Sequence, residues 1–257
     1  GVNPTWGGNL WRKLPNDKHW QHVLATDEAL VGINTNGRFI YALGYWGHVL
    51  YQYDINTAQV NRVVVGSAGR HVSRNFIVDE LGHAYVPQLL ENDFNEIEVS
   101  LAEYDTQLNL LTTYPLPSYQ SDNYEEHHGI VGYTSMKNGD IYFTTADGGL
   151  YHIQPLAKPG TKVSYKGMMH PDGEAYIASL FSIDGQVVLG GIGRQGQKDK
   201  IKSSAFAWIV YDTSLGLANA IKLPLHDVQQ ALLYGSLTRD DQGAFYIGGW
   251  QKKDLAY

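Results

Sequence analysis

Ten histidines punctuate this 257-residue chain. Seven of them fall in short polar and aromatic stretches: HWQH (His19, His22), GYWGH (His48), GRHVSR (His71), NYEEHH (His127, His128) and MHPDGE (His170). Imidazole is the one side chain whose ordinary titration lies near neutral pH, so such a set suits proton transfer or metal ligation. Arg70, Arg74, Tyr45, Trp46, Asn75, Tyr124, Glu174 and Tyr176 lie in or beside the same stretches, with Arg194 and Tyr234 further on. This mixture can perform β-elimination on a sugar acid. That reaction needs a cationic or hydrogen-bonding group on the carboxylate, a base for the C5 proton and an acid for the leaving oxygen. His71 or His128 would be base or neutraliser, Tyr176 or Tyr234 the acid, and Arg74 or Arg194 the carboxylate grip. Tyr45 and Trp46 would stack on sugar faces, and His48, Asn75, Tyr124 and His127 would complete the contacts. The reaction needs no cofactor.

The same residues admit other readings. Glu28, His71, His128 and Glu174 on a ring would suit Zn²⁺, and Glu28 with Asn75 would suit Ca²⁺, as a structural or a catalytic ion. No H-x-x-x-H or clustered-Asp motif supports either. A histidine at a loop can simply bond a neighbouring carbonyl, Tyr176 and Tyr234 can plug a channel, and Arg74 can pair with an acidic neighbour. A serine-hydrolase elbow and a phosphate-cradling glycine loop are both absent from the sequence.

The elements that would position these residues recur. Five echoes read LVGINTNGRFIYALG, FIVDELGHAYVPQ, YTSMKNGDIYFTTA, FSIDGQVVLGGIG and SLTRDDQGAFYIGGW, with turn glycines Gly37, Gly82, Gly139, Gly185 and Gly243. Their intervals of 45, 57, 46 and 58 residues predict an all-β β-propeller of four-stranded blades, about five in this chain, or consecutive blades of a seven-bladed parent. Third strands are VLYQYD, SLAEYD, GLYHI and AWIVYD, ending at Asp54, Asp105, Ile153 and Asp212. The aspartates suit caps of the turn that follows. Fourth strands end near Pro117 and Pro224, where an outer edge needs no ladder N–H. The segment NLWRKLP, ending at Pro15, reads as one fourth strand that would close the last blade, making 1–257 a single domain. Two insertions, 88–99 and 191–204, read as loops between second and third strands.

Counting back from each turn glycine aligns the first strands. Eleven residues before it stand Thr26, His71, His128, Glu174 and Leu232; nine before it, Glu28, Ser73, Ile130, Tyr176 and Tyr234. Residues two apart share a strand face. If that face lines the channel, its mouth gathers His71, His128, Glu28, Glu174, Tyr176 and Tyr234. The blade entries then add His19, His22, Arg70, Arg74, His127 and His170 to the rim.

Composition bounds the partners. Net charge is −7 with no basic run, which excludes a duplex nucleic-acid stripe. No segment is apolar for long enough to serve as a helical membrane span. With no cysteine there is no disulfide framework or thiol chemistry. The 18 Tyr, 7 Phe, 6 Trp and 28 Gly suit turn-dense sheets with aromatic filling.

The repeat architecture and the His/Tyr/Arg mixture resemble the propeller-fold polysaccharide lyases, such as those acting on ulvan or oligogalacturonate. The resemblance extends over the repeat pattern of most of the chain. It implies an enzyme that cleaves an acidic polysaccharide or oligosaccharide in its central funnel, and a secreted or periplasmic setting is expected separately, from the bulk character of the chain. A non-catalytic binding or scaffold propeller and a metal-dependent, lactonase-like hydrolase are the alternatives.

Overall fold

All five turn glycines sit at positive φ in the computed structural model: Gly37 at 43°, Gly82 at 85°, Gly139 at 86°, Gly185 at 72° and Gly243 at 88°. A Cβ resists that conformation, so glycine fixes where each first strand must reverse into its second. The structure describes residues 7–45, 47–66, 75–91, 93–94, 97–117, 129–171, 173, 177–185, 187–192, 207–222 and 231–251. Among these residues there are twenty strands and no helix. They form four four-stranded antiparallel sheets and two two-stranded ones, and the fold is a β-propeller.

The strands divide between two compact units, Gly1–Gly129 with Lys158–Gly160, and Ile130–Ala157 with Thr161–Tyr257. The first holds a hairpin of β1 (Gly8–Arg12) and β2 (Gln21–Thr26), and two antiparallel blades. One blade is β3 (Leu30–Asn36), β4 (Phe39–Gly44), β5 (Val49–Asp54) and β6 (Val60–Val64). The other is β7 (Ile77–Val78), β8 (Ala84–Glu91), β9 (Ile97–Tyr104) and β10 (Leu110–Pro115). The second unit holds β11 (Ile130–Ser135), β12 (Ile141–Thr145), β13 (Gly149–Ile153) and β14 (Val163–Met168) as a blade. It also holds the blade of β15 (Ile177–Ile183), β16 (Val187–Ile192), β17 (Ala207–Asp212) and β18 (Leu217–Lys222), and a pair, β19 (Ala231–Arg239) and β20 (Phe245–Gln251).

Aspartates set the turns as their positions predict. Asp54 Oδ1 accepts the N–H of Asn56, Asp105 Oδ1 those of Gln107 and Asn109, and Asp212 Oδ1 those of Ser214 and Leu215. Asp79 and Asp240 do the same beside Gly82 and Gly243. Two expectations are corrected. The N-terminal segment makes two strands rather than one, because Leu14–Asp17 folds back on itself through Asp17 N–H to Leu14 O (3.0 Å) and Leu14 N–H to Asp17 Oδ2 (3.0 Å). The insertion 88–99 is mostly strand: β8 and β9 stay paired from Ala84↔Tyr104 to Glu91↔Ile97. The other insertion lies largely outside the described residues.

Within the first unit, side chains bond across to the backbone of the next blade. Asn34 Nδ2 donates to Phe76 O (3.3 Å), Asn36 Nδ2 to Asp79 O (2.7 Å), Tyr41 OH to Gly82 O (2.8 Å) and Gln52 Nε2 to Thr106 O (2.9 Å). These cross-blade bonds surround an apolar core of Tyr41, Leu43, Leu50, Phe76, Val86 and Tyr104. The second unit packs Tyr142, Leu150, Ile177, Val188, Ile209 and Tyr211 in the same way, with Thr144 Oγ1 donating to Ile177 O (2.7 Å). Tyr41→Phe keeps the ring but leaves a buried carbonyl without its donor. Urea unfolding should show a loss of about 1–2 kcal/mol.

Candidate functional site

A blade's second-to-third strand turn meets either the segment that enters its first strand or the one that leaves its fourth. In the first blade, Tyr45 N–H donates to Ala29 O (2.8 Å) and Gly47 N–H to the Glu28 carboxylate (2.7 Å). In the second unit, Met169 N–H, just past β14, donates to Gly148 O in the β12–β13 turn (2.9 Å). This entry face is where the sequence reading gathers its candidates, and the structure shows what several of them do there.

Glu28 is buried, and its carboxylate is tied down. Oε2 takes the Gly47 N–H and Oε1 takes the Tyr51 hydroxyl (3.3 Å). Gly44 and Gly47 leave room for it; a Cβ at Gly44 would overlap its Cδ and Oε1. The GYWGH stretch is thus a cradle for a carboxylate of its own chain. Burial, then the Glu28 charge, pushes the Tyr51 hydroxyl up to about 12. Glu28 accordingly holds a turn and does not line a channel as a free ligand. Among the described residues no three His, Asp or Glu side chains converge to hold a metal ion.

His48 is a second correction. Expected as a rim contact, it is only 3% exposed, and neither ring nitrogen has a hydrogen-bond partner among the described residues. Its backbone is left-handed (φ 52°), which lets its carbonyl take the Val65 N–H (3.0 Å). Gly66 opens space for the ring, since a Cβ there would lie 3.0 Å from Nδ1. Burial lowers the imidazole from 6.5 to about 4. The folded state therefore binds fewer protons than the unfolded state between those values, so stability is full above pH 6.5 and falls as pH drops toward 4. The loss across that window should be roughly 3 kcal/mol. His48→Asn, which tolerates the left-handed backbone, should flatten the profile in denaturant titrations between pH 7 and 4.

The remaining candidates divide by place. Tyr45 is half-buried on the β4–β5 turn, Asn75 is exposed just before β7, and His170 is buried beside the entry to the fourth complete sheet. Tyr234 lies in β19 where pairing slips between Leu233 and Leu237. Trp46, Arg70, His71, Arg74, Tyr124, His127, His128, Glu174, Tyr176 and Arg194 lie outside the described residues. His19 and His22 do not belong to the entry face. The entry end of β2 is Thr26, and His22 sits at the far end opposite Trp11.

The alternation assumed for the first strands is also interrupted. β3, β11 and β15 each carry a register shift near their start, at Leu30/Gly32, Ile130/Gly132 and Ile177/Ser179. A bulge offsets the two-residue period, so residues on either side of it do not share one face by count. In the first blade Thr26 belongs to β2 and Glu28 to the connection.

A polar cluster that the sequence reading missed lies in the blade of β7–β10. Glu103, fully buried, accepts from Tyr114 OH (2.7 Å) and Tyr85 OH (3.5 Å) and lies 2.8 Å from His83 Nδ1; Tyr85 OH also donates to Asp79 (3.0 Å). Burial first, then these carboxylates, pushes both tyrosine hydroxyls far up. His152 Nε2 lies 2.8 Å from Asp140 and its ring stacks on Tyr142 at 4.4 Å. Both clusters sit where first strands turn into second strands, away from the entry face.

No family model and no curated protein matches the sequence. Solved structures do resemble it. Dihydro-heme d1 dehydrogenase NirN superposes with a TM-score of 0.55 at 18% identity, over 85% of this chain and 42% of that one. Hydrazine synthase of Kuenenia stuttgartiensis gives 0.54 at 13% identity, over 89% and 57%. The extracellular domain assigned to a one component system of B. thetaiotaomicron gives 0.52 at 14%, over 90% and 27%. The chain spans less than two thirds of each of these proteins, and likeness at such identities shows the fold alone.

Proposed function

We propose that this propeller binds an acidic, uronate-containing polysaccharide on its entry face and cleaves it by β-elimination. The observation that supports the reading is that, within each unit, a second-to-third strand turn is hydrogen-bonded to a segment that enters or leaves its blade: β4–β5 in the first and β12–β13 in the second. The sequence concentrates His71, His128, Glu174 and Tyr176 in such entry segments, and Tyr45 and Trp46 in such a turn. In the proposed step His128 or His71 takes the C5 proton. The C–H electron pair becomes the C4–C5 double bond, the C4–O bond breaks, and Tyr176 or Tyr234 protonates the departing oxygen. Arg74 or Arg194 neutralises the carboxylate, which makes the C5 proton acidic enough to leave. Asn75, Tyr124 and His127 complete the substrate contacts. His48 acts only through the turn it supports.

A non-catalytic binding propeller is the second reading. The confinement of Glu28 and His48 favours it, because two candidates for chemistry serve the fold instead. The resemblance to an extracellular domain supports an exported setting for either reading.

Mass analysis of digests tests the chemistry. Elimination leaves a new end lacking the water that hydrolysis adds, and a chelator should leave the yield unchanged. Hydrated ends whose yield is lost to the chelator would favour a metal-dependent hydrolase.

A further inference from the structure

The far end of the β1–β2 hairpin carries a surface the proposed reaction does not use. Trp11 is 53% exposed and Trp20, directly before β2, is 64% exposed. Two exposed indoles on one short hairpin offer apolar area for contact. Trp11 is not loose. Its ring lies against His22 at 4.8 Å, and His22 Nε2 lies 2.9 Å from Asn9 Oδ1, so the platform is held before any ligand arrives. The charge here opposes that of the chain. Residues 8–26 carry Arg12, Lys13 and Lys18 against Asp17 alone, in a protein of net charge −7. Asp17 is itself engaged with the Leu14 N–H. Lys13 and Lys18 are exposed.

From these observations we infer that the hairpin is a separate binding site for an acidic saccharide. The apolar C–H faces of pyranose rings pack on the indoles, and Lys13 and Lys18 meet the carboxylates. Charge complementarity selects this occupant over a neutral glycan: an acidic chain gains attraction from a hairpin that is basic in a protein of net negative charge. A saccharide also fits alternating aromatic and polar groups better than a purely apolar partner does. The site shares its substrate class with the proposed function. It stands at the opposite end of β2 from the entry face, so it would hold a polymer and not cleave it.

Calorimetric titration of the whole protein with a short galacturonate oligomer tests the inference, with melting temperatures as the fold control. Trp11→Ala and Trp20→Ala should each weaken binding roughly tenfold. Trp11→Phe should retain most of the affinity, and Lys13→Gln with Lys18→Gln should weaken binding and reduce its salt dependence. Unchanged affinity in folded Trp11→Ala and Trp20→Ala proteins overturns the site, even if the protein produces unsaturated ends. Hairpin-dependent binding without such products upholds the site and removes galacturonate as the substrate of the elimination reading. No binding by the unaltered protein, or equal binding of a neutral glucose oligomer, overturns the site as an acidic one.

Discussion

Replacing Glu103 by alanine should destabilise the protein by about 3–5 kcal/mol, because it removes a fully buried carboxylate and leaves the buried Tyr114 hydroxyl without its acceptor. Glu103 is fully buried at the meeting point of Tyr114, Tyr85 and His83. Removing it takes from Tyr114 the carboxylate it donates to at 2.7 Å, while Tyr85 keeps Asp79 as an acceptor at 3.0 Å. For a chain of this size the melting midpoint should fall by about 10 °C. Glu103→Gln retains an acceptor oxygen for Tyr114 and should recover most of the loss. A midpoint within a degree or so of the parent for Glu103→Ala would show that the cluster contributes nothing to stability.

The second large effect concerns catalysis. His128→Ala and Tyr176→Phe should each lower turnover of a uronate polymer by about 10²–10⁴-fold, the usual contribution of a positioned base or acid. Circular dichroism and melting temperature should stay at parent values, since the reading gives these side chains work in the reaction and none in the fold. Full activity in both folded variants would remove them from the mechanism and leave His71 and Tyr234 as the remaining pair.

These two predictions differ in how they arose, and the difference shows what the sequence reveals. Turn chemistry is local: a glycine at positive φ or an aspartate bonding N–H groups two to four residues on is specified within its own segment. Gly37, Gly82, Gly139, Gly185 and Gly243 therefore mark the reversals correctly, and Asp54 and Asp212 end their strands where expected. Glu28 and His48 failed as rim residues because their fate depends on remote partners. Glu28 is claimed by Gly47 and Tyr51, and His48 is enclosed beside Gly66. A carboxylate or imidazole reads the same in sequence whether it serves a ligand or its own backbone. The bulges that open β3, β11 and β15 add one residue each, which counting from the turn cannot detect. His22 stands away from the entry face because two strands, not one, carry the chain from Gly8 to Thr26. Glu103 went unnoticed because its partners, His83 and Tyr114, lie 20 and 11 residues away with no motif to link them.

Ultraviolet absorbance of the unaltered protein, mixed in turn with a panel of uronate polymers, tests the central claim most directly. A steady rise from unsaturated uronyl ends is expected with at least one polymer and none with neutral glycans. A flat trace across the whole panel, from protein shown to be folded, would contradict it and leave a propeller that binds without cleaving.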